Sequence, residues 1–504
     1  MAVLLAIGAI VVLMIAGYLV LRPRPNLPPG LPALPVIGSL PWLDSKDPLG
    51  QLVKVHRQYG DIVTIHLGMK PCVYLNSYDV NKEALVTQKK NFSDRPDMFI
   101  LETMGTTNKG EPGFTCSNGH IQTETRSFIN KSLIQHFQMG TIKFENKIIE
   151  EILVLLDELD EHTSKYGPDA NSGDAYAENG QTDEGIDLLM PLTKCTANII
   201  NKILIGQRFD YDDEMFMERV KLFEQDMLFV QKAQILNIYP SLRFLPIDVF
   251  GLQDFKQHQL QNERFWEKLI NENKEKDSLM KLWIQKTKEN SGSDVFNMNR
   301  LRFVFGDVFS GSTETVKSVV DITIAYLLHY PDVQTKIHEQ IDEEIGRDRL
   351  PTLSDRENLR YVEAVYYEVM RLKPPVPLSV PHVCTEDTTI AGYDIPSGTI
   401  VMPNIYAAHR DPNVWANPEK FDPKRFIDEN GQFKDLHRMI AFSMGKRVCP
   451  GEAVARMKLF LLFTALLQRY KFSVPPGVEL PDLNCEVGLT LTLKRYKVCI
   501  TRRY

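Results

Sequence analysis

The sequence predicts a mainly α-helical protein with small β-sheets, preceded by a membrane-anchoring helix. Apolar residues recur at helical spacing over most of the chain, strand-like alternation appears in only two places, and the N-terminus opens on a long run without charge. Hydrophobic residues make up 43% of the 504 and charged ones 24%, near globular averages, which argues against wholesale disorder and a many-span membrane protein. The 58 basic and 65 acidic residues give a net charge of -7, so no nucleic-acid partner held by phosphate contacts is expected.

Ala2 to Leu21 contains no charged residue, and about 20 residues rising 1.5 Å each span the ~30 Å hydrocarbon layer as a helix. A cleaved signal peptide is the competing reading. No positive segment precedes the run, however, and Arg22 and Arg24 follow it directly, which favours an anchor with the body in the cytosol. Residues 1–21 are thus the expected transmembrane anchor. Residues 22–40 carry Pro23, Pro25, Pro28, Pro29, Pro32 and Pro35, a spacing that favours an extended, semi-rigid hinge. Residues 41–504 form the body, long enough for two or three domains or one large core.

Within the body, Val63, Ile65 and Leu67 alternate with Thr64 and His66, and Leu489, Leu491 and Leu493 with Thr490 and Thr492, so each set reads as a strand. Residues 161–185 are rich in Gly, Asn, Asp and Ser and read as a solvated loop. Helical patterns run over residues 299–330, closed by Pro331, and over 452–470, which is apolar nearly all round and therefore central. Residues 228–250 are more apolar than an exposed connection should be.

Seven cysteines include no Cys-x-x-Cys pair, so neither a zinc ribbon nor a dithiol motif is present. Cys449 lies in a loop that leads straight into the 452–470 helix. The helix start and nearby Arg447 both favour a thiolate, the form a soft metal ligand requires, and Gly445 and Gly451 would let the backbone turn tightly beside a flat cofactor. These properties suit either a reactive or metal-binding cysteine or an ordinary loop residue.

The run Phe442-x-x-Gly445-x-Arg447-x-Cys449-x-Gly451 resembles the haem-binding signature of the cytochrome P-450 family of haem-thiolate monooxygenases. The resemblance implies the cytochrome P-450 fold, haem b (iron protoporphyrin IX) as cofactor, Cys449 as its axial metal ligand, and Arg447 as partner of a haem propionate. Glu368-x-x-Arg371 alone says little, because Glu344/Arg347 and Glu357/Arg360 share its spacing. Its order is more telling: Pro374-Pro375, then Pro423-Lys424-Arg425-Phe426, then the cysteine loop. That succession resembles the family's Glu-Arg-Arg triad and implies that Glu368, Arg371 and Arg425 form a buried structural network.

Ser310-Gly311-Ser312-Thr313-Glu314-Thr315 places poor helix formers mid-helix, a pattern that marks a kink. It resembles the family's oxygen-activating groove, which implies Glu314 and Thr315 as the acid and alcohol that deliver protons; Ser312 stands where the family usually has glycine. Gln122 and Arg126 align with a Trp-x-x-x-Arg pair, leaving Arg126 as a propionate partner. His382, after Pro381, matches another propionate position, although a lone histidine is more often a core or surface group. Because the motifs spread from Arg126 to Cys449, residues 41–504 are expected to form one catalytic domain.

The likeness is to animal microsomal members near the xenobiotic and steroid hydroxylases. It implies insertion of one oxygen atom of O2 into a lipophilic small molecule, a steroid, fatty acid or xenobiotic. It also implies NADPH-derived electrons from NADPH–cytochrome P-450 reductase, cytochrome b5 as an accessory partner, and a single-pass site in the endoplasmic-reticulum membrane with the body cytosolic. Lys434, Arg438, Lys446 and Lys458 form the expected basic docking face. Residues 228–250 would dip into the bilayer surface, and 98–106 and 372–380 would line the pocket. The rival functions are a haem-thiolate isomerase or dehydratase without external electrons, a non-catalytic haem sensor, and a membrane-anchored hydrolase, for which no Gly-x-Ser-x-Gly elbow is present.

Overall fold

The computed structural model describes residues 26–100, 103, 113–166, 185–245 and 247–504, with a few scattered positions before residue 18. The expected anchor lies almost entirely outside the described residues, among which no helix is long and apolar enough to cross a membrane.

The body is built from helices α1 (Pro48–Tyr59), α2 (Gly119–Lys131), α3 (Ile142–Tyr166), α4 (Leu189–Leu204), α5 (Glu214–Lys232), α6 (Leu252–Asn273), α7 (Leu279–Glu289), α8 (Met298–His329), α9 (Pro331–Glu344), α10 (Arg360–Leu372) and α11 (Glu452–Arg469). Asn297 starts α8 by accepting a hydrogen bond from the Arg300 N–H, and Pro331 opens the next helix, so α8 matches the expected span within a residue. It runs through the middle of the molecule against α4, α10 and α11. As its all-round apolar pattern requires, α11 is enclosed, with Phe460, Leu461, Leu462 and Leu467 fully buried.

The strands are β1 (Ile62–Leu67), β2 (Lys70–Leu75), β3 (His382–Val383), β4 (Thr388–Ile390), β5 (Tyr393–Ile395), β6 (Ile400–Pro403), β7 (Tyr470–Ser473), β8 (Glu486–Val487), β9 (Leu491–Thr492) and β10 (Cys499–Arg502). The largest sheet has the order β1-β2-β6-β3, antiparallel except for the parallel β2–β6 pair, in which Val73 faces Val401. The second expected strand shrinks to β9, because Gly488 and Thr490 form a turn that takes Leu489 out of the ladder.

Two expectations are corrected, and the apolar stretch 228–250 is seen to be broken into short pieces. The hinge is not a free spacer where it is described: the Thr64 N–H donates to Pro29 O (2.9 Å) and the Ser39 N–H to His66 O (2.7 Å), so residues 29–39 lie along the open edge of β1. The solvated loop starts later than expected, because α3 continues to Tyr166 with the Thr163 and Ser164 hydroxyls bonding back to Asp160 O; residues 167–184 lie outside the described residues. Residues 228–250 are not one helix. Leu236 is buried, whereas Phe244, Ile247 and Val249 are 75%, 72% and 65% exposed. The Tyr239 hydroxyl donates to Val36 O (2.9 Å), joining this apolar surface to exposed Leu34, Val36 and Ile37.

Candidate active site

A cavity of about 470 Å³, within the range of small-molecule sites, is enclosed by α2, α4, α5, α6, α8 and the cysteine loop. The Cys449 N–H donates to Phe442 O (2.9 Å) and the Val448 N–H to Gly445 O (3.2 Å), closing that loop. Gly445 is left-handed (φ 73°), and a Cβ there would fall 1.8 Å from Leu85 O. Its close approach is therefore to the Leu85 backbone and not to the cavity. The turn expected at Gly451 is present but does not require glycine: its φ is -93°, and a Cβ would meet the Cys449 Sγ at an ordinary 3.9 Å. The loop's second left-handed residue is Ser443 (φ 62°). Phe442, Cys449 and Gly451 all border the cavity.

Burial pushes the Cys449 thiol above its ordinary value, against the Gly451 and Glu452 N–H groups at the start of α11 and the charge of Arg126. Arg447 is not the expected thiolate partner. Its guanidinium donates instead to Ser93 O (2.7 Å), Ser117 O (2.7 Å) and Asn118 Oδ1 (2.9 Å). A coordinated cation would deprotonate the thiol outright, which the helix start alone does not do. Cys116 also borders the cavity, on the turn before α2.

Arg95, Arg126 and Arg447 converge on the same cavity. Arg95, which the sequence reading passed over, donates from Nη1 to Val380 O (2.8 Å) and Pro381 O (2.9 Å). Burial and the neighbouring Arg447 push it down to about 9, and burial pushes Arg447 down to about 10, so both remain cationic at neutral pH. His382 is buried with its Nδ1 2.6 Å from Phe92 O and, among the described residues, with no hydrogen-bond partner for Nε2. Burial, then Arg95, holds the ring well below its ordinary value. A carboxylate here would offset the guanidiniums and favour the protonated ring, whose Nε2–H would then donate to it. Like charges packed beside an orphaned imidazole nitrogen, with a cysteine sulfur on the same cavity, fit the two propionates and the iron of haem b.

Glu368, Arg371 and Arg425 meet in the core. Arg371 donates to both Glu368 oxygens (2.7 and 2.9 Å), and Arg425 Nε donates to Oε1 (2.9 Å). Glu368 also accepts the Asp422 N–H (2.9 Å), while Arg371 Nη1 reaches His409 O (2.8 Å) and Pro418 O (2.7 Å). Arg347, by contrast, pairs with Asp342 at the surface.

On α8, Glu314 and Thr315 both border the cavity. The Thr315 hydroxyl donates back to Gly311 O (2.7 Å), and Lys317 Nζ lies 2.9 Å from Glu314 Oε2 as a buried ion pair. Asp307 also faces the cavity and accepts the Thr115 N–H (2.8 Å); burial pushes its acid up to about 6. Lys458 corrects the expected basic face, because it is 0% exposed. Its Nζ donates to Ser312 O (2.8 Å), Ser312 Oγ (3.1 Å) and Thr196 O (3.3 Å). Of the expected pocket segments, Pro375, Val376, Ser379 and Val380 line the cavity. The described part of 98–106 does not, and Ile100 packs instead with Phe229 and Phe255.

This fold and this cysteine-and-arginine site are those of a haem-thiolate protein. Residues 28–500 match the family model described as Cytochrome P450. Similar curated proteins include cytochrome P450 2U1 of Rattus norvegicus, 31% identical over 95% of this chain and 91% of the relative. Cytochrome P450 2C23 of Rattus norvegicus is 34% identical over 96% and 95%, and cytochrome P450 2J1 of Oryctolagus cuniculus 33% over 99% and 96%. The chain belongs to the cytochrome P450 family. It is an oxidoreductase of the monooxygenase class that uses haem b with a cysteine thiolate ligand, O2 and NADPH-derived electrons.

Proposed function

We propose that this chain inserts one oxygen atom of O2 into a lipophilic small molecule, with Cys449 as the haem ligand and with electrons from NADPH–cytochrome P450 reductase, aided by cytochrome b5. The observation that carries this reading is the placement of the Cys449 sulfur at a helix N-terminus, in the cavity that Arg95, Arg126 and Arg447 border. Haem supplies the oxygen-activating chemistry when bound. Cys449 would ligate its iron, Arg95, Arg126 and Arg447 would offset the charge of its propionates, and His382 Nε2 would be available to hydrogen-bond one of them. Phe442 and Gly451 border the same space, and Gly445 keeps the loop seated on Leu85.

Thr315 and Glu314 hand on protons from α8, and the Glu368–Arg371–Arg425 network holds the core in place. Residues 1–21 serve as a single-pass endoplasmic-reticulum anchor and 22–40 as a hinge docked on the sheet, with 41–504 as the catalytic domain in the cytosol. The exposed apolar surface around Phe244 and Ile247 supports contact with the bilayer. Reductase docks on the exposed part of the basic face, Lys434, Arg438 and Lys446.

The test is the reduced carbon monoxide difference spectrum. The wild type is expected to give the long-wavelength Soret band of thiolate ligation, Cys449→Ala to lose it, and Cys116→Ala to keep it. A band that survives in Cys449→Ala overturns the ligand assignment. Turnover that needs no reductase points instead to an isomerase or dehydratase.

A further inference from the structure

Ser312 and Lys458 meet in the wall of the cavity, in a contact that the proton-delivery groups leave unused. Ser312, on α8, lines the cavity three residues before Thr315, so the two hydroxyls share one face of the helix. Thr315 donates its proton back to Gly311 O (2.7 Å). Ser312 makes no such bond: among the described residues its hydroxyl oxygen has one partner, the Nζ of Lys458, at 3.1 Å.

Lys458 reaches this point from α11 and is fully buried. Its bonds run to Ser312 Oγ, to Ser312 O (2.8 Å) and to Thr196 O on α4 (3.3 Å). An ammonium carries three protons and no lone pair. The charged form therefore donates to all three oxygens, and the Ser312 proton, which the lysine cannot accept, turns to the open side, the cavity. A neutral amine has two protons, enough for the two carbonyls, and a lone pair that accepts from Ser312. The charge on Lys458 thus decides whether Ser312 offers a donor to the cavity. The charged groups on the helices packed against α11 have partners of their own: Glu314 pairs with Lys317 on α8, Glu151 on α3 with Arg208, Asp342 on α9 with Arg503, Glu363 on α10 with Arg356, and Arg456 on α11 itself with Glu452. After burial, which pushes the amine down to about 7, the one group acting on it is Cys195 of α4, whose thiol burial holds protonated.

We propose that Ser312 is a hydrogen-bond donor to dioxygen held in the cavity, and that Lys458 is the positioning residue that aims the Ser312 proton there while it is charged. The proposal rests on the monooxygenase reading above and adds to it a pair of residues on the side of α8 that faces α11. It also carries a pH dependence: the donor is present below about pH 7 and is withdrawn above it, where Ser312 turns to the neutral amine.

Carbon monoxide stands in for dioxygen in the experiment, because a hydrogen bond donated to either diatomic draws electron density onto its outer oxygen and weakens the bond within it. The infrared C–O stretch is recorded on the reduced full-length holoenzyme saturated with carbon monoxide, without substrate, at pH 6 and pH 8. The wild type is expected to show two bands. The lower-frequency band, with Ser312 as donor, prevails at pH 6 and the higher one at pH 8, their ratio changing by about a hundredfold for one proton with a midpoint near 7. Ser312→Gly is expected to leave only the higher band at both pH values and Ser312→Thr to keep the pair. Lys458→Arg, whose guanidinium stays charged, is expected to hold the lower band at pH 8. Product formed per NADPH consumed is expected to fall about 2–10-fold from pH 6 to pH 8 in the wild type relative to Ser312→Gly, the effect of one such hydrogen bond.

A single C–O band in the wild type at both pH values overturns the proposal without need of any variant, and so does a pair of bands that survives in Ser312→Gly. The Soret band of the carbon monoxide difference spectrum separates these outcomes from failure of the underlying reading. If the thiolate band is intact while the C–O stretch ignores Ser312, only the donor assignment falls; if the thiolate band is missing in the wild type, the monooxygenase reading itself falls.

Discussion

A lysine on a helix that is apolar on every side can either reach water or find acceptors within the core. Lys458 takes the second course, and burial pushes its amine from an ordinary 10.5 down to about 7. The sign of the consequence follows from linkage. Between about 7 and 10.5 the unfolded chain binds more protons than the folded one, so this residue makes stability rise with pH across that window and level off below it. Lys458→Met is expected to flatten the rise and to stabilise the protein at pH 7 by about 1–4 kcal/mol, the range seen when buried ionic groups give way to apolar ones. Urea denaturation at pH 7 and pH 9 checks this, and an unchanged pH slope refutes it. The sequence held a signal for this burial: a helix enclosed on all sides leaves no face on which Lys458 could be a surface charge.

Among the elements, α8 is legible from its helical apolar spacing and the boundary at Pro331, and α11 from an apolar run nearly all round that is too long for a strand. β9 is legible in place but not in length, since the turn at Gly488 and Thr490 shortens the expected strand to two residues. The candidate site divides in the same way. Glu368 is legible from the succession of elements around it, whereas Arg95 is not, because it sits in an irregular stretch and its carbonyl partners are 285 and 286 residues away. In α8, the Thr315 hydroxyl returns to Gly311 O, a back-bond that loosens a helix at the point where the proton path is proposed. Thr315→Ala is expected to lower product formed per NADPH consumed by about 10²-fold, the lower end for a positioned proton donor, with Thr315→Ser retaining most of it. Equal coupling in the alanine variant and the wild type refutes that role.

For the molecule as a whole, two segments far apart in sequence that each expose apolar side chains are tied together by one hydrogen bond. Phe244, Ile247 and Val249 stand on the segment that Tyr239 ties to Val36. Each large side chain buried in a bilayer contributes about 1.5–3 kcal/mol, so Phe244→Ser with Ile247→Ser is expected to weaken liposome partition more than tenfold. The measurement uses chains lacking residues 1–21, in which the anchor does not mask the patch. Unchanged partition would place the membrane contact elsewhere. Whole-molecule features such as this are the least legible in sequence, because their parts come together only in the fold.

The bond from Arg447 Nε to Ser93 O closes a loop of 354 residues, and that separation sets a schedule for biosynthesis. At about 5–20 residues per second, the ribosome delivers Arg447 and Cys449 on the order of 20–70 s after Ser93 and Arg95 have emerged. During that interval the nascent chain carries the arginines of one wall without the segment that completes the cofactor chamber. On the proposed ligand assignment, haem capture waits for the end of translation or later, and a chain truncated before residue 447 is expected to show no thiolate-ligated haem spectrum however much haem is supplied.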